Sequence, residues 1–233
     1  EMCIRDRSFG VSANLAYNKN KVLYLDGVQS LADGDLKVKQ VGAAYGTYRL
    51  YKTGGFFQSD EEAKRWQEKH KNDAGYPFKR DFKAGDLIYM DTNEDGLINA
   101  DDRVLCGSSN PSYTFGLNLS AGYKSIDCSV MLTGVADVKR MIDINGFGGE
   151  WSGDDCHPNN IWLDAWTPDN RDAKMPRIAV GKTSNNLEYS DFWLQDGSYL
   201  RLKNLQLGYT LPKKILKSMG VENLRVYYSG ENL

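Results

Sequence analysis

The stretch Ser112–Tyr123, which reads SYTFGLNLSAGY, alternates strictly between small or polar residues and apolar ones. A period of two places all the apolar side chains of such a run on one face of a β-strand. The same alternation occurs from Phe9 to Tyr17 and again from Leu205 to Leu211. These three runs predict β-strands with one apolar and one polar face.

The polar face of these strands consists of Ser, Thr, Asn and Gly, with almost no charge. Small neutral side chains suit the inside of a barrel, and an apolar face with Tyr near its ends suits lipid and an interfacial aromatic girdle. A strand of about 11 residues is ~36 Å long. Tilted by about 40°, it spans ~28 Å, close to the roughly 25 Å apolar band of an outer-membrane barrel. The pattern therefore predicts transmembrane β-strands.

Five barrel strands are expected, over residues 8–20, 112–124, 126–138, 197–211 and 222–233. Because Leu200 and Leu202 have the opposite phase to Leu205 and the residues after it, we expect a bulge near Lys203–Asn204. A tight turn at Lys124-Ser125 joins two of the strands, whereas the segments 21–111 and 139–195 are long. Outer-membrane barrels have short periplasmic turns and long extracellular loops, so we assign both long segments to the outside.

Five strands are too few to close a barrel, since closed single-chain barrels have eight or more. An open sheet edge in lipid would leave backbone groups unpaired. The fold class expected is therefore all-β, a partial transmembrane antiparallel β-barrel with long extracellular loops, belonging to a larger protein.

Composition excludes several other classes. The formal net charge is −2 and no basic stripe is present, which argues against nucleic-acid binding. No run approaches the roughly 20 apolar residues of a transmembrane helix. The two histidines and four cysteines lack zinc-ligand spacing. A Cys106–Cys156 disulfide and free thiols both remain open, and no catalytic constellation is recognisable, so we do not expect an enzyme.

One motif has a defined chemistry. The segment Asp91–Asp102 begins with the pattern D-x-N-x-D-G, which opens an EF-hand-type calcium loop. The expected metal ligands are side-chain oxygens at three of the first five positions, a main-chain carbonyl at the seventh and a carboxylate at the twelfth: Asp91, Asn93, Asp95, Leu97 and Asp102. Position twelve is Asp where the standard loop has a bidentate Glu. The alternative is an acidic turn whose Asp and Asn side chains cap their own backbone.

The later long segment is rich in aromatic residues. Four tryptophans there are candidate contacts for a sugar ring, another ligand or a docked protein: Trp151, Trp162, Trp166 and Trp193. The alternative is that they form the small core of the segment itself. In the earlier long segment, Ser59 and Glu62 have capping-box spacing and predict a helix from Asp60 to Lys69.

Several motifs, in order, resemble the SusC/RagA-type TonB-dependent outer-membrane transporters. The resemblance covers residues 8–233 and rests on these segments: Gly85–Arg103, Gly107, Asn110-Pro111, Phe115–Asn118, Tyr123–Asp127, Trp166–Asn170, Met175–Arg177, Asp191–Leu205, Tyr209–Pro212 and Ser229–Leu233. The run Asp191–Leu205 is the most specific of them.

The resemblance implies a barrel of about 22 strands in the Gram-negative outer membrane, plugged by an N-terminal domain and driven through TonB. It also implies a SusD-like surface lipoprotein that captures glycans or peptides. The plug and the TonB-contacting segment are expected outside these residues. Residues 1–7 depart from the family pattern and read as a non-native leader.

Two other functions stay open at this stage. One is a secreted calcium-dependent β-rich module that binds carbohydrate or protein. The other is an outer-membrane receptor that does not transport, which would differ only in the part of the protein before this segment. The uncharged polar face of the strands favours the importer over the secreted module.

Overall fold

A computed structural model describes residues 2–4, 6–33, 36–142, 160–179, 184–217 and 220–233. The helices are α1 (Asp60–His70) and α2 (Lys213–Leu216). The strands are β1 (Met2–Ile4), β2 (Arg7–Tyr17), β3 (Ser30–Asp33), β4 (Lys37–Gln40), β5 (Thr47–Tyr51), β6 (Thr53–Phe56), β7 (Leu87–Tyr89), β8 (Arg103–Ser108), β9 (Tyr113–Tyr123), β10 (Ile126–Ala136), β11 (Lys139–Met141), β12 (Leu194–Asp196), β13 (Tyr199–Thr210) and β14 (Arg225–Glu231).

The chain divides into two compact units. The first, the sheet unit, consists of Glu1–Asn20, Asn110–Val138 and Asp196–Leu233. The second, the loop unit, consists of Lys21–Ser109 and Lys139–Gln195. No helix in the described part of the chain is long and apolar enough to cross a membrane.

The sheet unit is a single antiparallel sheet with the strand order β1-β2-β9-β10-β13-β14. Each of the five predicted strands is present in it, with ends that differ by at most three residues from the prediction. A short turn joins β9 to β10, and segments of the loop unit join β2 to β9 and β10 to β13. Residues 211–224, which include α2, join β13 to β14 within the sheet unit. The two-residue turn at Lys124-Ser125 places Lys124 at a φ of 54°.

The register places apolar residues in continuous rows across the sheet. One row consists of Val11, Leu119, Val130 and Leu205. Ser12 and Asn118, which pair with each other beside this row, lie on the opposite face. The apolar face is open: Val11 is 74% and Leu15 is 71% exposed. An exposed apolar surface this continuous is unusual on a soluble monomer.

The bulge predicted near Lys203–Asn204 is confirmed. Met131 pairs with Asn204, and its neighbour Leu132 pairs with Leu202, so Lys203 is the extra residue on β13. This insertion explains why the apolar phase of the sequence changes at that point, because one additional residue restores the same face on both sides of it.

Residues 1–7 are expected to be a non-native leader, and the structure includes part of this segment in the sheet. Met2–Ile4 pairs with Arg7–Phe9, and β2 begins at Arg7. Pairing along a sheet edge requires only backbone N–H and C=O groups, which any sequence supplies. The pairing does not test whether residues 1–7 are a non-native leader, which stays a prediction.

The loop unit has small sheets around an aromatic core. Its sheets have the strand orders β3-β4-β5-β8, β6-β7 and β11-β12. The core contains buried aromatic and aliphatic side chains from two strands, α1 and the connections between them: Tyr51, Phe57, Ala63, Phe78, Phe82, Leu87, Tyr89 and Ile98. Trp66 packs against it from α1, with its ring centroid 4.9 Å from that of Phe82.

The helix predicted at Asp60–Lys69 is confirmed as α1. Ser59 precedes it in an extended conformation, and its Oγ accepts a hydrogen bond from the N–H of Glu62 (3.2 Å). The Glu62 carboxylate in turn accepts the N–H of Gln58 (2.8 Å), one residue earlier than in a standard capping box. The two bonds fix the start of the helix.

Of the four cysteines, Cys106 and Cys128 are free thiols. Cys156, the other cysteine of the disulfide considered above, lies outside the described residues.

Candidate functional site

The D-x-N-x-D-G segment forms a compact loop between β7 and the short 3-10 turn Ala100–Asp102. The carboxylate of Asp91 accepts the N–H of Gly96 through Oδ2 (2.8 Å). Gly96 has a φ of +82°, a conformation in which a side chain would be strained. The first and sixth residues of the motif thus close the loop on itself.

The other oxygen of Asp91 is the feature of this loop that most favours a cation. Asp91 Oδ1 is buried and has no hydrogen-bond partner. A buried carboxylate oxygen without a partner is costly, and an ion is one of the explanations for it. At the neighbouring positions, Asn93 donates to Asp95 Oδ2 (3.0 Å), and Asp95 Oδ1 accepts the N–H of Leu97 (2.8 Å). These last contacts are those of a self-capped turn.

Asp102, the expected ligand at position twelve, links the two ends of the loop through hydrogen bonds. Its side chain is completely buried, and its two oxygens accept the N–H groups of Thr92 (2.8 Å) and Asn99 (2.9 Å). The Thr92 hydroxyl donates to the Asp102 carbonyl (2.8 Å). Asp102 therefore joins the beginning of the loop to its end. Within the described residues, no group of three or more His, Cys, Asp and Glu side chains is arranged to hold a metal ion.

Asp73 also holds this loop, and sequence reasoning missed it. Its Oδ2 accepts the N–H of Ile98 (2.8 Å) and lies 2.8 Å from Nδ1 of His70, near the end of α1. The Ile98 side chain is buried in the aromatic core. The middle of the loop is thus tied both to the helix and to the core.

The tryptophans predicted to contact a ligand are core residues where the structure describes them. Trp162, Trp166 and Trp193 are each at least 93% buried, with exposed fractions of 7%, 7% and 3%. Trp193 Nε1 donates to the Asn186 carbonyl (2.8 Å). Trp151 lies outside the described residues. The packing favours the alternative stated above, a core of the segment itself, because side chains so deeply buried present almost no ring face to a ligand.

A buried polar network lies at Asp86, which the sequence analysis recognised only as part of a family motif. Asp86 is completely buried, and its Oδ1 lies 2.7 Å from Nε of Arg177. Asn186 Nδ2 donates to the same oxygen (2.9 Å), and the N–H of Lys83 donates to the other oxygen (2.8 Å). All three of these partners lie within the loop unit.

The pKa of the Asp86 carboxyl is raised above its ordinary value. Burial is the largest cause, and it outweighs the opposing effects of the Arg177 charge and of the hydrogen bonds from Arg177, Lys83 and Asn186. Removing a carboxylate from water therefore costs more than its partners return.

The relatives found by sequence comparison are TonB-dependent receptors. No protein-family model matches the chain. It is 29% identical over 238 residues to TonB-dependent receptor P3 of Formosa agariphila, a match that covers 98% of this chain and 22% of that protein. It is 29% identical over 220 residues to TonB-dependent receptor P26 of the same organism, covering 94% of this chain and 22% of that protein. The chain thus spans about a fifth of the length of these relatives.

Solved structures give the same result for the fold. A chain of the RagAB peptide transporter superimposes with a TM-score of 0.70 at 20% identity, covering 100% of this chain and 24% of that chain. The RagAB peptide importer in the "open-open" state gives a TM-score of 0.66 at 21% identity, covering 99% of this chain and 23% of that chain. Together, the sequence relatives and the shared fold confirm the resemblance that the sequence motifs predicted.

Proposed function

We propose that this chain, a segment of a SusC/RagA-type TonB-dependent transporter, supplies five wall strands and two surface segments of an outer-membrane importer. The cargo is an oligosaccharide or a peptide, captured together with a SusD-like lipoprotein. TonB drives import through the part of the protein that precedes this segment. The role of the segment is to contact lipid, to line the lumen and to contribute to the outer surface.

The observation that carries this proposal is the division of the sheet unit into two faces. The rows of exposed apolar side chains on β2, β9, β10 and β13 suit contact with acyl chains. The opposite face presents small neutral side chains, such as Ser12 and Asn118, to a lumen. Two aromatic residues, Tyr17 and Tyr113, meet at one end of the apolar face with ring centroids 4.8 Å apart, as expected for an interfacial girdle.

For the cargo, the RagAB structures favour a peptide, since those proteins are described as peptide importers. The competing function is a secreted calcium-dependent binding module. It would have to keep an apolar face of this size in water, which soluble proteins avoid.

The complete gene product tests the proposal when it is expressed in a Gram-negative host and fractionated. We expect it in the outer-membrane fraction, soluble only with detergent. With its adjacent lipoprotein and a functional TonB, it should confer uptake of labelled oligopeptides or oligosaccharides. Recovery in the medium as a detergent-free soluble protein would support the secreted module instead.

Calcium binding at the Asp91–Asp102 loop is part of the proposal. Asp91 Oδ1 supports it, being buried and without a partner. Asn93, Asp95 and the Leu97 carbonyl would complete the coordination once the Asn93–Asp95 hydrogen bond opens. Asp102 would hold the two ends of the loop together through its hydrogen bonds to the Thr92 and Asn99 N–H groups. Bound calcium would order this part of the loop unit.

Calcium titration of the intact protein checks this assignment. We expect wild-type protein to bind one calcium ion in this loop, and we expect Asp91→Asn to weaken that binding at least tenfold, since it removes a charged ligand. Asp101→Asn is the matched control, because the Asp101 side chain is 80% exposed and is not one of the expected ligands. Equal binding by wild type and Asp91→Asn would contradict the assignment.

A further inference from the structure

The bulge on β13 changes which side chains reach the polar face of the sheet. Before the bulge, Tyr199 and Arg201 share that face, and after it Asn204 and Gln206 do so. Lys203 continues the phase of Arg201, and Asn204 begins the phase of Gln206. Two consecutive residues, Lys203 and Asn204, therefore point to the same face, an arrangement that a regular strand does not allow.

Lys203 and Asn204 line a groove of about 450 Å³ on the polar face, and Arg201 lies on the same face beyond the bulge. Its polar lining comes from β9, β10, β13 and β14: Asn118, Ser120, Ser129, Lys203, Asn204 and Glu231. Asn204 is the cross-strand partner of Glu231, and Met131 lies on its other side. The groove therefore combines a cation, a carboxylate, two amides and two hydroxyls.

The cations near this groove are held by neutral groups. The Lys203 ammonium donates to the Asn232 amide oxygen (2.9 Å), and the Arg201 guanidinium lies 5.0 Å from the centre of the Tyr199 ring. By contrast, Arg225 on the same face bonds the Asp127 carboxylate through two nitrogens (3.1 and 2.5 Å). Arg201 and Lys203 thus keep donors for an anionic group, whereas Arg225 is already paired with a carboxylate.

We propose that Arg201 and Lys203 form a subsite for a carboxylate group of the imported solute, with Asn118 and Asn204 as neutral hydrogen-bond partners. This inference rests on the proposed function, because it requires the polar face to line a transport path. Charge complementarity selects the ligand: two cations that contact neutral groups, Arg201 and Lys203, attract an anion, and nitrogen donors bind a carboxylate strongly. Glu231 would favour a solute that also carries an amine or amide N–H, as a peptide does.

The test uses the complete transporter with two matched probes. One is a pentapeptide with a free C-terminal carboxylate, and the other is the same pentapeptide with a C-terminal amide. We expect Arg201→Gln with Lys203→Gln to weaken binding of the free acid about tenfold or more, the scale of a lost charge-assisted hydrogen bond. Binding of the amide should change less than twofold. Lys213→Gln, an exposed residue of α2, is the control and should bind both probes as wild type does.

The outcomes separate this subsite from the proposed function. The carboxylate subsite is wrong if wild type binds and imports peptides and the double variant binds both probes as wild type does. It is also wrong if the double variant loses affinity for both probes equally. In either case the import function stands. Equal loss would indicate that this wall instead contacts another part of the same protein. If wild type binds neither probe, the peptide cargo of the proposed function is wrong, and the subsite fails with it.

Discussion

Replacing Asp86 by alanine is expected to destabilise the loop unit by about 3–5 kcal/mol, the usual result of removing one partner of a buried ion pair. The change leaves the Arg177 guanidinium, whose side chain is 18% exposed, without its carboxylate. It also leaves the Asn186 amide and the Lys83 N–H without their acceptor. Unpaired buried donors carry the full cost of desolvation.

Amide hydrogen exchange of the intact protein measures this effect. The Leu87 N–H donates to Asn186 Oδ1 (2.8 Å), so its exchange reports opening of the network. At least a hundredfold faster exchange is expected in Asp86→Ala, since each 1.4 kcal/mol corresponds to about tenfold. Asp101→Ala is the control, because this exposed residue lies 3.9 Å from Arg49 and such a surface pair contributes less than about 1 kcal/mol.

A double variant separates the loss of the pair from the loss of packing. Asp86→Leu with Arg177→Met replaces both charges by apolar groups and should be less destabilised than Asp86→Ala, because no unpaired charge remains. The raised pKa of Asp86 agrees with this expectation, since burial already disfavours its charged form. Exchange in Asp86→Ala as slow as in wild type would show that the network does not hold the unit together.

The sheet could be predicted from the sequence because its signal is local. A period of two over Ser112–Tyr123 determines which side chains share a face, and strand pairing then aligns those faces across the sheet. The bulge at Lys203 can also be recognised in the sequence, because the alternation of apolar residues changes phase between Leu202 and Leu205. Such features require no knowledge of distant contacts.

The loop unit could not be predicted in the same way, because its organising contacts are distant in sequence. Asp86 meets Arg177 across 91 residues and Asn186 across 100 residues. No spacing rule connects these positions, and Asp86 could be recognised only through a family motif. The buried tryptophans show the same limit: an aromatic cluster in a sequence does not reveal whether its rings face a ligand or one another.

The structure of the metal motif could be predicted from the sequence only in part. Its spacing predicted a loop with a sharp turn at Gly96, and in the structure Asp91 accepts the N–H of Gly96. The spacing did not reveal that Asp102 would be engaged by two backbone N–H groups, because that depends on the 3-10 turn that follows the loop. It also gave no indication of Asp73, which follows the C-terminal end of α1.

Replacing Leu119 by arginine is expected to cost the assembled protein about 2–4 kcal/mol, the penalty for a cation on the lipid face near the middle of a bilayer. Leu119 lies in the central apolar row, between Val11 and Val130. Asn118→Arg is the matched control, since it places the same side chain one residue earlier on the opposite face. A cation there remains in a polar environment and should cost less than about 1 kcal/mol.

The most direct measurement is therefore the stability of the complete protein in phospholipid vesicles, compared between Leu119→Arg and Asn118→Arg by their urea unfolding midpoints. If β9 has one face in lipid, Leu119→Arg should unfold at a clearly lower urea concentration than wild type, and Asn118→Arg should unfold close to it. Equal midpoints for the two variants, or a Leu119→Arg variant that is as stable as wild type, would contradict a membrane-spanning sheet.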